Sequence, residues 1–156
     1  MLRSLTPHAL RLTTVIALGL SAMAAQAETV TKTSPHSVAV TIDRLEAAVT
    51  EAGANVVARV DHAAAATTAD LELRPTQVLI FGNPKLGTPA MIDAQTAALD
   101  LPLRVLAYED AGGIVHVVYH TPATLAETHG LPADAPYLVM MTGALDKLTG
   151  AAIAPE

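Results

Sequence analysis

The sequence of 156 residues contains no cysteine and no tryptophan, and aromatic residues make up only 3% of it. Without cysteine the chain cannot form disulfides, thiolate metal sites, iron–sulfur clusters or a cysteine nucleophile. So few aromatic rings are poorly suited to reading nucleic acid by base stacking. The net charge of −6 also disfavours a phosphate backbone, because that affinity comes from clustered lysine and arginine. We therefore expect no nucleic-acid partner.

Apolar residues, in contrast, make up 51% of the chain, and charged residues make up 15%. These proportions exclude an intrinsically disordered chain, which would be poor in apolar residues and rich in charge. A chain of this length has room for one domain. The composition therefore predicts a single small globular domain with an apolar core.

The first 27 residues have the three parts of a secretory signal peptide. Arg3 and Arg11 give a basic start, an apolar run extends from Leu12 to about Ala25, and Ala25-Gln26-Ala27 is a small-x-small cleavage motif. The apolar run is shorter than the roughly 20 residues that a membrane-spanning helix needs. We predict cleavage after Ala27, a mature domain of residues 28–156 without an integral membrane segment, and a periplasmic or secreted location.

Local sequence signals predict ten elements in the order β-α-β-α-β-α-β-β-α-α. Strand-like runs alternate with segments of helical periodicity, and Asp110-Ala111-Gly112-Gly113 marks a hairpin. This order predicts an α+β domain in which a two-layer mixed sheet packs against helices. The predicted strands are 29–33, 55–60, 76–81, 101–108 and 114–119, and the predicted helices are 35–53, 62–69, 85–99, 122–129 and 138–148.

Three stretches carry a resemblance to a known family: Arg59–Ala66 (RVDHAAAA), Thr76–Met91 (TQVLIFGNPKLGTPAM) and Ala98–Asp110 (ALDLPLRVLAYED). In this order they resemble the family called domain of unknown function 302. The resemblance covers about residues 34–131, most of the mature chain. It implies a compact α+β fold and homodimers, and it implies no particular reaction.

Two groups of polar residues each follow a predicted strand. Asp61-His62 comes after the second strand, where His62 can act as a base, an acid or a ligand; alternatively, Asp61 caps the next helix. Gly82-Asn83-Pro84-Lys85 comes after the third strand and could present Lys85 to an anion, or it could be an ordinary turn. We expect both loops to open onto one pocket, formed by Asp61, His62, Asn83, Lys85 and Met91.

Three functions are compatible with these patterns. The first is an exported small-ligand-binding or accessory domain, and the second is a small enzyme with His62 as general base, oriented by Asp61. The third is a haem or copper carrier with a histidine or methionine ligand. A metal shared by His116 and His120 is not expected, because four residues on a strand span about 13 Å.

Overall fold

The computed structural model describes residues 28–155. The predicted signal peptide, residues 1–27, lies outside this part of the chain. The described strands are β1 (Thr29–Ser34), β2 (Asn55–Asp61), β3 (Thr76–Gly82), β4 (Leu103–Glu109) and β5 (Val115–His120). The described helices are α1 (Val38–Glu51), α2 (His62–Thr68), α3 (Pro84–Asp93), α4 (Pro122–His129) and α5 (Pro136–Ile153), with a 3-10 helix at Gln95–Leu99.

The α+β class and the predicted order of elements are confirmed. Several helix boundaries differ from the prediction, and the last helix is longer than predicted, spanning Pro136–Ile153 rather than 138–148. The first helix begins at Val38 rather than Pro35, because the Ser37 side chain accepts the hydrogen bond that caps it. The helix predicted to reach residue 99 ends at Asp93, because Ala94 is extended (φ −147°, ψ 109°), and the chain continues as the 3-10 helix.

The strands form one sheet in the order β1-β5-β4-β3-β2, and each neighbouring pair is antiparallel. The parallel pairing that a mixed sheet would include does not occur within residues 28–155. The physical reason is the path of the chain after β1. The connection through α1 takes it from one edge of the sheet to the other, so β1 and β2 point in the same direction without being neighbours.

The main hydrophobic core lies between one face of the sheet and the helices α1 and α5. Because side chains alternate along a strand, every second residue of β3, β4 and β5 points into this core. Its largest fully buried side chains include Ile42, Leu45 and Val49 of α1, Leu79 of β3, Val105 of β4, Val117 of β5 and Leu145 of α5.

A second, smaller cluster joins α3, the 3-10 helix, α4 and the first half of α5. Its buried members include Ala90, Ala97, Leu125, Leu138 and Met141. At its margin the Tyr137 hydroxyl donates to the Asp93 carboxylate at 2.7 Å, which ties the start of α5 to the end of α3. Burial of the hydroxyl, together with this carboxylate, raises the pKa of Tyr137 to about 12.

Polar contacts fix α5 against its neighbours. The Lys32 ammonium group of the edge strand β1 lies 2.7 Å from the Asp146 carboxylate and 3.0 Å from the Thr149 hydroxyl. At the other side, the Arg44 guanidinium donates to the backbone carbonyl of Ala154 at 2.9 Å, just after α5 ends. A cation at a helix C-terminus also interacts favourably with the helix dipole.

The face of the sheet that points away from α1 and α5 is here called the open face. Its centre is formed by the half-buried side chains of Val78, Ile80, Leu106 and Val118 on β3, β4 and β5. Arg104 lies on this face at one end of β4. An antiparallel sheet with one face on a core often exposes a polar second face, so this apolar centre is unusual.

Candidate ligand-binding site

The structure does not bring the five predicted site residues together. β2 and β3 are antiparallel, so Asp61, at the end of β2, pairs with Gln77, whereas Gly82, at the end of β3, pairs with Asn55. Six residues of strand separate these two positions, which corresponds to roughly 20 Å. The loop after β2 and the loop after β3 therefore lie at opposite ends of the sheet and do not open onto one pocket.

Asp61 has the capping role that was the alternative to a catalytic one. One carboxylate oxygen accepts from the Ala64 backbone N–H at 2.9 Å, and the other accepts from the Gln77 side-chain amide at 2.9 Å. His62 is the exposed first residue of α2. Because both oxygens of Asp61 have these partners, the geometry does not favour an Asp61–His62 pair acting as a general base.

A cavity of about 410 Å³ lies at the other end of β2 and β3. Its volume is within the range of small-molecule sites. It lies between the end of α1, the start of β2, α3, the segment before β4 and α5. The residues that line it are Ala52, Ala54, Asn55, Val57, Phe81, Gly82, Asn83, Pro84, Leu86, Gly87, Thr88, Met91, Leu101, Pro102, Leu103, Met141, Ala144 and Leu148.

The cavity has an apolar floor and a partly polar rim. The floor is formed by the buried side chains of Phe81, Met141 and Leu148, and the rim includes the exposed residues Asn55 and Thr88. None of the described residues that line the cavity carries a charge. Such a surface suits the apolar part of a ligand, with polar contacts confined to the rim.

Two of the five predicted residues line this cavity. Asn83 is half-buried in its wall, and Met91 projects from α3. Lys85 is exposed on the first turn of α3, next to the rim but not in the lining. The Asn83 side chain caps α3 by accepting from the Lys85 backbone N–H at 3.0 Å. The segment therefore also forms the ordinary turn that was the alternative to an anion contact.

Two glycines give the cavity its shape. At Gly82 an added Cβ would lie 3.2 Å from the Pro102 side chain, so the strand end and the segment before β4 can approach only without a side chain there. At Gly87 an added Cβ would lie 3.8 Å from both Leu101 and Met91, which is ordinary van der Waals contact. A single methyl group therefore fits at Gly87 in contact with Leu101 and Met91, and all three residues line the cavity.

Two histidine–carboxylate pairs lie outside the cavity lining. His129, at the end of α4, contacts the Asp100 carboxylate through Nε2 at 2.8 Å and the Thr96 hydroxyl through Nδ1 at 3.1 Å. The sequence offered no signal for this group, because its members are about 30 residues apart. Within residues 28–155 no group of three or more histidine, aspartate or glutamate side chains could hold a metal ion.

The second pair organises the β4–β5 hairpin. His116 Nε2 lies 2.8 Å from the Asp110 carboxylate, and the imidazole stacks on Tyr108 with ring centres 5.2 Å apart. The other Asp110 oxygen accepts from the backbone N–H groups of Gly112 and Ile114. The hydrogen bond from His116, followed by that from Ile114, holds the pKa of Asp110 below its ordinary value of 3.8. From the sequence, only the predicted hairpin turn at residues 110–113 indicated that Asp110 and His116 would lie close together.

The fold and the cavity define an α+β domain with an apolar cavity large enough for a small ligand. The chain belongs to the family Domain of unknown function DUF302, which matches residues 30–148. The resemblance seen in the sequence is therefore confirmed. A crystal structure of an uncharacterized conserved DUF302 protein from Bacillus stearothermophilus has the same fold, with a TM-score of 0.63 and 18% sequence identity over 80% of this chain and 94% of that chain.

The chain is also similar to part of two longer proteins from Brucella. It is 49% identical over 116 residues to the fluoride-specific ion channel FluC 1 of Brucella suis biovar 1, and equally to FluC 1 of Brucella abortus biovar 1. These matches cover 73% of this chain but only 46% and 43% of the two relatives. The chain thus spans less than half the length of these relatives. Within residues 28–155 no helix is both long and apolar enough to cross a membrane.

The hairpin pair generates a prediction about acid stability. Because the pKa of Asp110 is lowered in the folded state, its ionised form stabilises the fold above about pH 4, and this contribution is lost as the pH falls through the lower folded-state pKa. We expect Asp110→Asn to remove part of the decrease in unfolding free energy between pH 5 and about pH 2.5, measured by urea denaturation. Asp134→Asn, in the exposed loop before α5, is the control. Equal pH dependence in Asp110→Asn and the unaltered protein would contradict the assignment.

Proposed function

We propose that this protein is an exported accessory domain that binds a small apolar molecule in the cavity between β2, β3, α3 and α5. The observation that carries the proposal is the cavity itself, with about 410 Å³ of space above an apolar floor. An apolar ligand would gain roughly 25 cal/mol for each Å² of apolar surface that it removes from water.

The lining supports a binding role better than a catalytic one. Catalysis of proton transfer needs a titratable group within hydrogen-bond reach of the substrate, and the described lining residues contain no histidine, carboxylate or lysine. Met91 and Met141 instead provide flexible, polarizable surface that can adapt to the shape of a ligand. The haem or copper alternative would have these two methionine sulfurs as its ligand candidates in the cavity.

Filling the cavity should weaken binding without unfolding the protein. Gly87→Leu adds a side chain whose Cβ contacts Leu101 and Met91 and whose remaining carbons must occupy volume beside these lining residues. It also replaces a helix-interior glycine, which favours folding by up to about 1 kcal/mol. We expect the affinity for the fluorescent apolar probe N-phenyl-1-naphthylamine to fall at least about tenfold, because the leucine side chain and the probe would occupy the same part of the cavity. The variant should remain folded in urea denaturation, because the helix gain offsets crowding against Leu101 and Met91.

The matched control is Gly143→Leu, on α5, where an added Cβ would meet nothing within 4 Å. This variant undergoes the same substitution in a helix but leaves the cavity unchanged. Probe titrations and urea denaturation of both variants give the comparison. Unaltered probe binding by a folded Gly87→Leu variant would refute the cavity as the binding site.

Dimer formation through the open face is part of the proposal. The apolar centre formed by Val78, Ile80, Leu106 and Val118 resembles the apolar core of a protein interface. The charged residues at the two ends of this face are paired within the chain, Arg104 with Asp100 at 3.2 Å and Asp110 with His116 at 2.8 Å. A two-fold axis across the strands would place the apolar centre of one copy on that of its partner, so we propose a second copy of this chain as the occupant of the face.

Native mass spectrometry of the protein from a periplasmic fraction tests export and assembly together. We expect a dimer of chains that begin at Glu28, because the motif at Ala25-Gln26-Ala27 directs cleavage there. Leu106→Arg should yield monomers, since it places an unpaired charge in the centre of the interface. Thr50→Arg, on the exposed side of α1, is the control. A dimeric Leu106→Arg variant would exclude the open face, and an unprocessed chain would exclude cleavage after Ala27.

A second candidate function follows from the names of the Brucella relatives. We infer that this domain could serve beside a fluoride channel, given 49% identity to part of each relative. The cavity does not suit fluoride itself, because a small, strongly hydrated anion needs charged or donor groups to replace its water. None of the described lining residues is charged. Any such role would therefore depend on another ligand or on protein contacts.

Fluorine NMR can check this distinction. We expect sodium fluoride to give no saturable broadening when it is titrated with the protein, for the electrostatic reason above. Sodium acetate is the competing-anion control. Saturable broadening that disappears in Gly87→Leu would show an anion site in the cavity and would contradict the apolar-ligand proposal.

A further inference from the structure

We propose that the cavity selects a neutral amphiphile, a molecule with an apolar tail and an uncharged head that carries a hydrogen-bond acceptor such as a carbonyl oxygen. This inference rests on the proposed binding function and adds the chemical class and the orientation of the ligand. It follows from three features: the difference in polarity between floor and rim, the hydrogen bonding of the Asn83 side chain, and the charged residues beside the rim.

The gradient of polarity fixes which end of the ligand lies inside. The floor consists of the buried Phe81, Met141 and Leu148, so a polar group placed there would lose its water without gaining a partner. The exposed part of the lining, at the rim, contains the polar Asn55 and Thr88 beside the apolar Val57. A tail that points to the floor and a head at the rim therefore satisfies both surfaces.

Asn83 indicates the chemistry of the head. Its side-chain oxygen already accepts the Lys85 backbone N–H at 3.0 Å, as the cap of α3. The same side chain also carries the Nδ2 amide group, which only donates, and we assign this group to the ligand because the oxygen is engaged in the cap. Because Asn83 is a half-buried lining residue, the matching ligand group is an acceptor on the head of the ligand.

The charges beside the rim favour a head without net charge. Glu51 immediately precedes Ala52 of the lining, and Lys85 immediately follows Pro84 of the lining; both charged residues are exposed. The two opposite charges give the mouth no net preference for an anion or a cation. A charged head would also lose part of its hydration at the half-buried wall, which a neutral amide or ester would not.

Isothermal titration calorimetry with octanamide and octanoate tests this selectivity, because the two molecules differ in head charge but share the tail. We expect octanamide to bind and octanoate to bind at least about tenfold more weakly. Asn83→Asp should weaken octanamide binding about three- to tenfold, the usual effect of losing one hydrogen bond. Aspartate caps helices as well as asparagine does, so the melting temperature should remain unchanged.

Lys85→Gln separates this inference from its strongest competitor, an anion held by the lysine. We expect the variant to leave the affinities for both molecules unchanged. Octanoate that binds as tightly as octanamide, or that loses affinity in Lys85→Gln, would overturn the inference, as would unaltered octanamide binding by Asn83→Asp. Failure of both molecules to bind, while N-phenyl-1-naphthylamine still binds, would overturn the ligand class alone. Failure of all three would overturn the proposed binding function itself.

Discussion

The antiparallel pairing of β2 with β3 is the constraint on which the rest of this structure depends. It places Asp61 opposite Gln77 and Asn55 opposite Gly82, so the two ends of this strand pair have different neighbours. At the first end, Asp61 and Gln77 form a capping network around α2. At the second end, the strands meet α1, α3 and α5 with small residues between them, and the space that remains is the cavity.

Local signals in the sequence were sufficient for the elements but not for their arrangement. Alternation, caps and turns identified all ten predicted elements in order, since each depends on residues close in the chain. Whether two strands pair parallel or antiparallel depends on which strands become neighbours, and a local sequence pattern does not contain this information. The expectation of a common pocket for His62 and Asn83 assumed that both strands end at the same edge, as they do in parallel sheets. An antiparallel pair reverses one of them.

The cavity shows the same division between local and distant information. Asn83 and Met91 were recognised because the Gly82-Asn83-Pro84 turn follows an apolar run. The floor includes Met141 and Leu148, which lie at least 50 residues further along the chain, where helical spacing indicates only a buried face. No pattern at those residues distinguishes a side chain that packs against protein from one that lines open space. In the sequence, Gly87 is likewise only a residue of low helix propensity. Its place in the cavity lining becomes visible only in the structure, where Leu101 and Met91 lie beside it.

The two proposed interaction sites use different surfaces of the same sheet. The cavity opens on the side of α3 and α5, whereas the centre of the open face lies on the other side, at Leu106 and Val118. Asp110 and Asp100 are each bound to a histidine and lie outside the cavity lining, so these carboxylates do not add charge to its surface. A dimer through the open face would therefore leave both cavities accessible, because neither floor nor rim contributes residues to the apolar centre of the interface.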